Sequence, residues 1–192
     1  MNNSIFYSIS ADKLTALTAY GEARNEGAEG MIAVINVIRN RTKDSNQFAD
    51  QSILAATGSV YHAVILKPYQ FSPYNASDSQ RPKMELIAAG FDSYLLSDAN
   101  LSKAYELSRM MFTGVLTDNT YGATYFHATY VTPAWASTIP LIGQIGNHIF
   151  YGYKTITGII ADVIAENPVT TAIVGFFATL GVYFILRRRH VI

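Results

Sequence analysis

The chain has 192 residues, about half of them apolar and only 15% charged, which suits one ordinary domain with a packed core plus an appendage. Its 14 basic and 14 acidic side chains balance, but Arg187, Arg188 and Arg189 crowd the C-terminal end, so the body is mildly acidic and lacks the basic face that a nucleic-acid partner requires. With no cysteine in the chain, disulfides, thiolate chemistry and cysteine-based zinc sites are excluded.

Residues 1–10 are polar and lack the basic and apolar regions of a secretory signal peptide, so none is expected. Ser10 is placed to cap a first helix on which Leu14, Leu17 and Gly21 share one side. Gly21 is expected to end that helix just where Glu22 follows. A second helix is predicted over 28–43. Its Met31, Val34, Ile35 and Ile38 recur at helical spacing, and it reads as the central core helix. Residues 45–50 read as a polar loop, and 52–66 as one helix or two short ones interrupted at Gly58. Residues 67–75 hold Pro68, Pro73 and three rings, Tyr69, Phe71 and Tyr74. Proline makes this a loop. Its rings either line a saccharide site, since sugar C–H faces pack on aromatic faces, or pin the loop to the core; the sequence leaves both open. Two more helices are expected at 82–96 and 101–113, with Asn100 as a cap and Gly114 as a stop. Residues 121–131 read as extended, Pro133-Ala134-Trp135 as a turn, and 145–153 as a last short strand. Beyond Lys154, Ile156, Ile159, Ile160, Val163 and Ile164 lie opposite Asp162 and Glu166, the pattern of an amphipathic helix. Residues 169–186 carry no charge and are just long enough to span a bilayer.

The stretch Tyr20-Gly21-Glu22-Ala23-Arg24-Asn25-Glu26-Gly27 places two carboxylates and a guanidinium within five residues. Cleaving a glycosidic bond needs a protonated carboxylic acid beside the leaving oxygen. A Glu at a helix end, facing a cleft with apolar and aromatic walls, acquires the raised pKa this demands. Glu22 is the candidate acid. Glu26 is a second carboxylate of the kind that two-carboxylate glycosidases use, or a partner of Arg24, or a cap of the second helix. His148 reads as a hydrogen-bonded structural histidine, and His127 as structural or substrate-contacting. His62 and His190 read as incidental. Without HExxH or clustered carboxylates no metal is expected. Without G-x-S-x-G, a phosphate-cradling glycine loop or a dinucleotide fingerprint, no cofactor is expected either.

Taken in order, several pieces resemble the SleB/CwlJ-type cell wall hydrolases, a family that includes spore-cortex-lytic enzymes. They are residues 17–27 around Glu22, Gly30 through Asn40-Arg41, Gln70-Phe71-Ser72, Ala123-Thr124-Tyr125-Phe126-His127, Pro133-Ala134-Trp135-Ala136, and Ile145-Gly146-Asn147-His148-Ile149-Phe150-Tyr151. Together they cover most of residues 14–152. The resemblance implies a mostly helical α+β fold of lysozyme-like type over 1–152, related to transglycosylase and resuscitation-factor domains. It implies cleavage of peptidoglycan glycan strands between N-acetylmuramic acid and N-acetylglucosamine, by lytic transglycosylation in the spore-germination branch. Glu22 matches the family's catalytic glutamate. Glu26, Phe71, Ser72, Tyr125, His127 and Trp135 fall in motifs expected to bind substrate. Asn25 stands where many relatives have Gly, a departure that leaves the glutamate spacing intact. The spore enzymes' peptidoglycan-binding repeat has no counterpart, so spore cortex is not implied as the substrate.

The remainder divides into an amphipathic juxtamembrane helix over 153–167 and a transmembrane anchor with basic tail over 168–192, which makes the lipid bilayer a partner. The positive-inside rule puts the arginines in the cytoplasm and the catalytic domain outside, facing the wall. Nothing N-terminal exports that domain. A bacteriophage protein seated in an internal virion membrane, beside other membrane or capsid proteins, reconciles the two; a bacterial inner-membrane enzyme is the other location. Rival readings are a hydrolytic muramidase, an inactive structural virion protein, and a lysis factor acting through its C-terminal helices.

Overall fold

The computed structural model describes residues 3–153. In chain order the helices are α1 (Ser4–Tyr7), α2 (Ala11–Ala23), α3 (Gly27–Thr42), α4 (Ser45–Phe48), α5 (Gln51–Thr57), α6 (Val60–Ile65), α7 (Arg81–Ala89), α8 (Phe91–Ser97) and α9 (Ala99–Phe112). Three strands follow, β1 (Tyr125–Ala128), β2 (Leu141–Ile145) and β3 (His148–Tyr151). The expected class, mostly helical α+β, is the one observed.

The centre is α2 rather than α3 alone. Every residue from Leu14 to Gly21 is buried, because α3, α6, α7 and α9 surround the helix. Its threonines satisfy themselves: the hydroxyls of Thr15 and Thr18 donate to the carbonyls of Ala11 and Leu14 at 2.8 Å. Gly21 does not end the helix, which continues through Glu22 to Ala23. Its missing side chain serves packing instead, since a Cβ there would lie 2.9 Å from Pro73 Cγ and 3.3 Å from Met84 Sδ. The loop carrying Pro73 therefore sits directly against the turn that bears Glu22. A short 3-10 turn, Arg24–Glu26, leads into α3, whose expected stripe of Met31, Val34, Ile35 and Ile38 is buried in the core.

Several local expectations are corrected. Ser10 holds the N-cap position of α2, but its hydroxyl donates to the Asp12 carboxylate and caps no backbone N–H. The polar stretch 45–50 contains a one-turn helix, α4, capped by Asp44. The helix expected over 82–96 is two, α7 and α8, separated at Gly90. The cap of α9 is Asp98, not Asn100: its carboxylate accepts from the N–H groups of Asn100 and Leu101. The polar N-terminus contributes α1, whose Phe6 is buried edge-on against Tyr74, ring centroids 4.9 Å apart. The break at Gly58 (φ +64°) and the stop at Gly114 (φ +78°) are as expected, both in the left-handed region that glycine enters freely.

The strands form one antiparallel sheet in the order β1-β3-β2, with Tyr125 opposite Tyr151 and Ala128 opposite His148. β2 and β3 are a hairpin joined at Gly146 and Asn147. Phe150 of β3 packs with Ala33 and Val37 of α3 and with Ala123, which seats the sheet on α3 near the C-terminal end of α2. Among the described residues no helix is long and apolar enough to cross a membrane. The amphipathic helix and anchor expected beyond Tyr153 lie outside the described residues.

Candidate active site

Glu22 occupies the last turn of α2. The 66–75 loop is fastened to this helix by Pro73 against Gly21 and by a 2.9 Å hydrogen bond between Thr18 Oγ1 and the Tyr74 hydroxyl. From that loop the Ser72 N–H donates to Glu22 Oε1 at 2.9 Å, with the Ser72 hydroxyl at 3.3 Å. Two adjoining cavities, of about 340 and 250 Å³, meet at the carboxyl group. Both are lined by Gly21, Glu22, Gln80, Ala128, Tyr130 and His148. The larger adds Tyr69, Gln70, Ser72 and His127, and the smaller adds Arg24, Glu26 and Asn147.

Burial pushes the Glu22 carboxyl up to about 7, against the two Ser72 hydrogen bonds and the positive charge of Arg41, with Asp78 adding to the rise. A pKa this close to neutrality is the condition under which one carboxyl group can both give and take a proton.

Arg41, on α3, is 5% exposed. Its Nε donates to the Thr124 carbonyl at 2.7 Å and its Nη1 to the Gln70 carbonyl at 3.4 Å. The guanidinium lies 4.9 Å from the Phe71 ring centroid, 5.6 Å from Phe48 and 5.9 Å from Phe126. Burial lowers its pKa to about 10, opposed by Glu22 and Tyr125, so it remains charged at neutral pH. This one side chain ties the 66–75 loop to the start of β1 beside the Glu22 cavity.

Glu26 is held apart from both partners the sequence offered it. Its Oε2 accepts from the Asn147 N–H at 3.0 Å and from His148 Nδ1 at 3.1 Å. It makes no side-chain cap at the N-terminus of α3. Arg24 goes elsewhere, donating to Gln80 Oε1 at 2.7 Å and lying 5.2 Å from the Tyr20 ring centroid. Two glycines make room for the Glu26 side chain. A Cβ on Gly30 would lie 2.6 Å from Glu26 Cβ, and one on Gly146 would strike the carboxylate.

The residues singled out in the sequence divide into two groups. Glu22, Glu26, Ser72 and His127 border the cavities. Phe71 is 2% exposed and faces the core against Arg41 and Phe126, so it backs the site rather than touching its contents. Tyr125 and Trp135 do not line the cavities either. The Tyr125 hydroxyl accepts from Gln47 Nε2 at 2.6 Å, and its ring meets Trp135 at 5.4 Å. Trp135 in turn packs on His127 and Tyr151. His127 is fixed at both nitrogens, to the Ala128 carbonyl at 2.9 Å and the Tyr151 hydroxyl at 3.0 Å. His148 is buried and hydrogen-bonded, as expected of a structural histidine, and it also lines both cavities. Arg41, Gln80, Asn147, Tyr69 and Tyr130 were not chosen as site residues. Tyr69 lies in the ring-bearing loop, and Arg41 and Asn147 in matched motifs, which are usable signals; Gln80 and Tyr130, which line both cavities with Glu22, lie outside every matched motif.

Tyr69 has a further property. Its φ is +65°, unusual for a side-chain-bearing residue, and a non-glycine held there costs on the order of 1–3 kcal/mol. Its N–H donates to Asn75 Oδ1 at 3.2 Å, while its side chain is 83% exposed.

A carboxyl group of near-neutral pKa, set at a helix end in a polar cleft between a loop and a small sheet, defines a general acid–base site. Residues 25–151 match the sequence family described as Cell Wall Hydrolase, and the chain belongs to that family, the SleB/CwlJ type. The matched stretch begins three residues past Glu22. Among solved structures, the chain is similar to the catalytic domain of the germination-specific lytic transglycosylase SleB from Bacillus anthracis: 26% identity, TM-score 0.47, covering 79% of this chain and 99% of that one. It is also similar to the catalytic domain of the Bacillus cereus SleB protein: 27% identity, TM-score 0.47, covering 73% of this chain and 88% of that one. No curated protein sequence matches the chain.

Proposed function

We propose that this cell wall hydrolase cleaves the glycosidic bond between N-acetylmuramic acid and N-acetylglucosamine in peptidoglycan as a lytic transglycosylase, with Glu22 as its one catalytic carboxyl. The carrying observation is Glu22 itself, half-buried where two cavities meet, held by Ser72 and shifted to a pKa of about 7. Protonated Glu22 gives its proton to the glycosidic oxygen as the bond to the anomeric carbon breaks and an oxocarbenium-like sugar forms. The resulting carboxylate takes the proton of the muramoyl C6 hydroxyl. That oxygen closes on the anomeric carbon, giving a 1,6-anhydro ring and restoring protonated Glu22. Such acid–base catalysis supplies roughly a hundred- to ten-thousand-fold in rate. The lysozyme-like fold type is part of this reading, as is a C-terminal anchor that holds the domain towards the wall in a virion or bacterial membrane. The anchor and its location rest on residues 169–189 of the sequence, and detection of the chain in purified virions tests the virion arm.

Mass spectrometry of digested sacculi tests the chemistry. Wild type should release anhydro-muropeptides and Glu22→Gln none, because the amide keeps the shape and removes the acid. Products with reducing ends would make the enzyme a hydrolytic muramidase instead. Glu26→Gln should keep measurable activity, since an amide oxygen can still accept from Asn147 and His148.

A further inference from the structure

The described surface carries few large exposed rings. Tyr69 and Tyr130 are 83% and 87% exposed, and both border the cavity that contains Glu22. For Tyr69, the neighbours in sequence show that this outward placement is specific. In the same loop Phe71 and Tyr74 are 2% and 4% exposed and pin the segment to the core, so the loop's anchoring needs are met without Tyr69. Tyr69 also has a positive φ, which among the described non-glycine residues it shares with Tyr121. A glycine would adopt that backbone at no steric penalty, yet a large aromatic occupies it and is directed to solvent. Unfavourable backbone combined with unburied apolar surface is the signature of a residue kept for what it binds. Tyr130 comes from the other side of the chain topology, two residues past β1, and lines both cavities, whereas Tyr69 lines only the larger. The smaller cavity offers Arg24, Asn25, Glu26 and Asn147 in place of a second ring. Aromatic lining is therefore shared by both cavities at Tyr130 and extends through Tyr69 into the larger one.

We propose that Tyr69 and Tyr130 are saccharide platforms: the apolar C–H faces of pyranose rings in the larger cavity pack on these two rings and set the glycan's register over Glu22. A tyrosine suits this use, being a large rigid face with a polar tip and few rotatable bonds to order. The inference rests on the peptidoglycan reading above and names the residues that recognise the strand.

The test uses the full chain. Initial rates of muropeptide release from purified sacculi are measured for wild type, Tyr69→Gly, Tyr69→Phe and Tyr130→Ala, alongside melting temperatures. Co-sedimentation with sacculi is measured for the same substitutions in the Glu22→Gln protein. Tyr69→Gly and Tyr130→Ala are each expected to raise KM about ten-fold, with the loss concentrated in KM rather than kcat, and to lower the sedimented fraction. Tyr69→Gly should hold or raise the melting temperature, because it relieves the positive φ. Tyr69→Phe should restore wild-type KM. Wild-type KM in both ring-removing variants overturns the proposal while leaving the enzyme reading intact. Loss of activity that follows a fall in melting temperature overturns it in favour of a structural role. If wild type releases no muropeptides and the Glu22→Gln protein does not sediment with sacculi, the peptidoglycan reading falls, and the platforms with it.

Discussion

The proposed chemistry turns on how two ionisable residues share one partly dry site. Glu22 has its folded pKa raised from 4.5 to about 7, so the folded state holds the proton more tightly than the unfolded chain does. The linkage sign follows: the stabilising contribution is fully present below about 4.5 and is lost as pH rises through about 7. At about 1.4 kcal/mol per unit, this amounts to at most about 3 kcal/mol. Glu22→Gln should therefore unfold in urea like wild type near pH 4.5 and be more stable than wild type by up to about 3 kcal/mol at pH 8; equal stability at both values would contradict the burial argument. The same titration should give the rate of wild-type cleavage a descending limb near pH 7, where the acid form disappears. Arg41 opposes the rise through its charge, so removing it acts in a known direction. Arg41→Met should move that limb to higher pH, even though it leaves two carbonyl partners unpaired and destabilises the fold by a few kcal/mol. A limb that stays in place would show that Arg41 only staples the walls. Glu22 was open to selection from sequence as the candidate acid because its flanking motif is local. Arg41's influence on it was not legible there, because Arg41 stands on α3 and acts on Glu22 only through the packing of α2 against α3.

At the scale of elements, the site depends on a hairpin being clamped to a helical turn. Glu26 reaches from the turn between α2 and α3 to the hairpin between β2 and β3, and it accepts from Asn147 and His148 there. Gly146 has φ +55° and no room for a Cβ beside that carboxylate. Gly146→Ala should cost about 2 kcal/mol or more, combining backbone strain with displacement of Glu26. It should also release the hairpin, seen as faster amide exchange at Asn147 and His148; unchanged exchange would refute the clamp. Gly30→Ala crowds the same side chain from α3 and should loosen the same two amides. The sequence showed which segments are helical wherever a long apolar period ran, as in α2, α3 and α9. It hid what depends on the surroundings. β2 is an outer strand whose Leu141 is 64% exposed, so it shows no clean alternation of apolar and polar residues. α1 is four residues held by one buried ring, too short for any period to register. Asp98 and Asn100 are both capping types, and only backbone geometry decides between them.

The whole described unit closes its core with its own residues. One buried cluster extends from Phe6 through α2, α3, α6, α7 and α9 to Leu116, and Phe150 joins the sheet to α3. Met1–Tyr153 is a single compact unit. A chain ending at Tyr153 should therefore fold cooperatively and clear peptidoglycan in a zymogram, with Glu22→Gln as the blank. The opposite end is less forgiving. Phe6 is fully buried against Tyr74, and Asn3 Oδ1 accepts from Arg81 Nη2 at 3.0 Å. Starting the chain at Ser10 removes Phe6 and should cost about 3–5 kcal/mol, enough to unfold a domain of ordinary stability. Because Tyr74 and Thr18 hold the loop that carries Ser72, activity should fall with it. The two truncations separate the classes of function. Clearing by 1–153 and none by 10–153 is the pattern of an enzyme whose cleft is set by its folded core. Lysis that survives loss of the N-terminal segment but requires residues 154–192 would instead assign the effect to the C-terminal segment acting on membranes, and would remove Glu22 from the explanation.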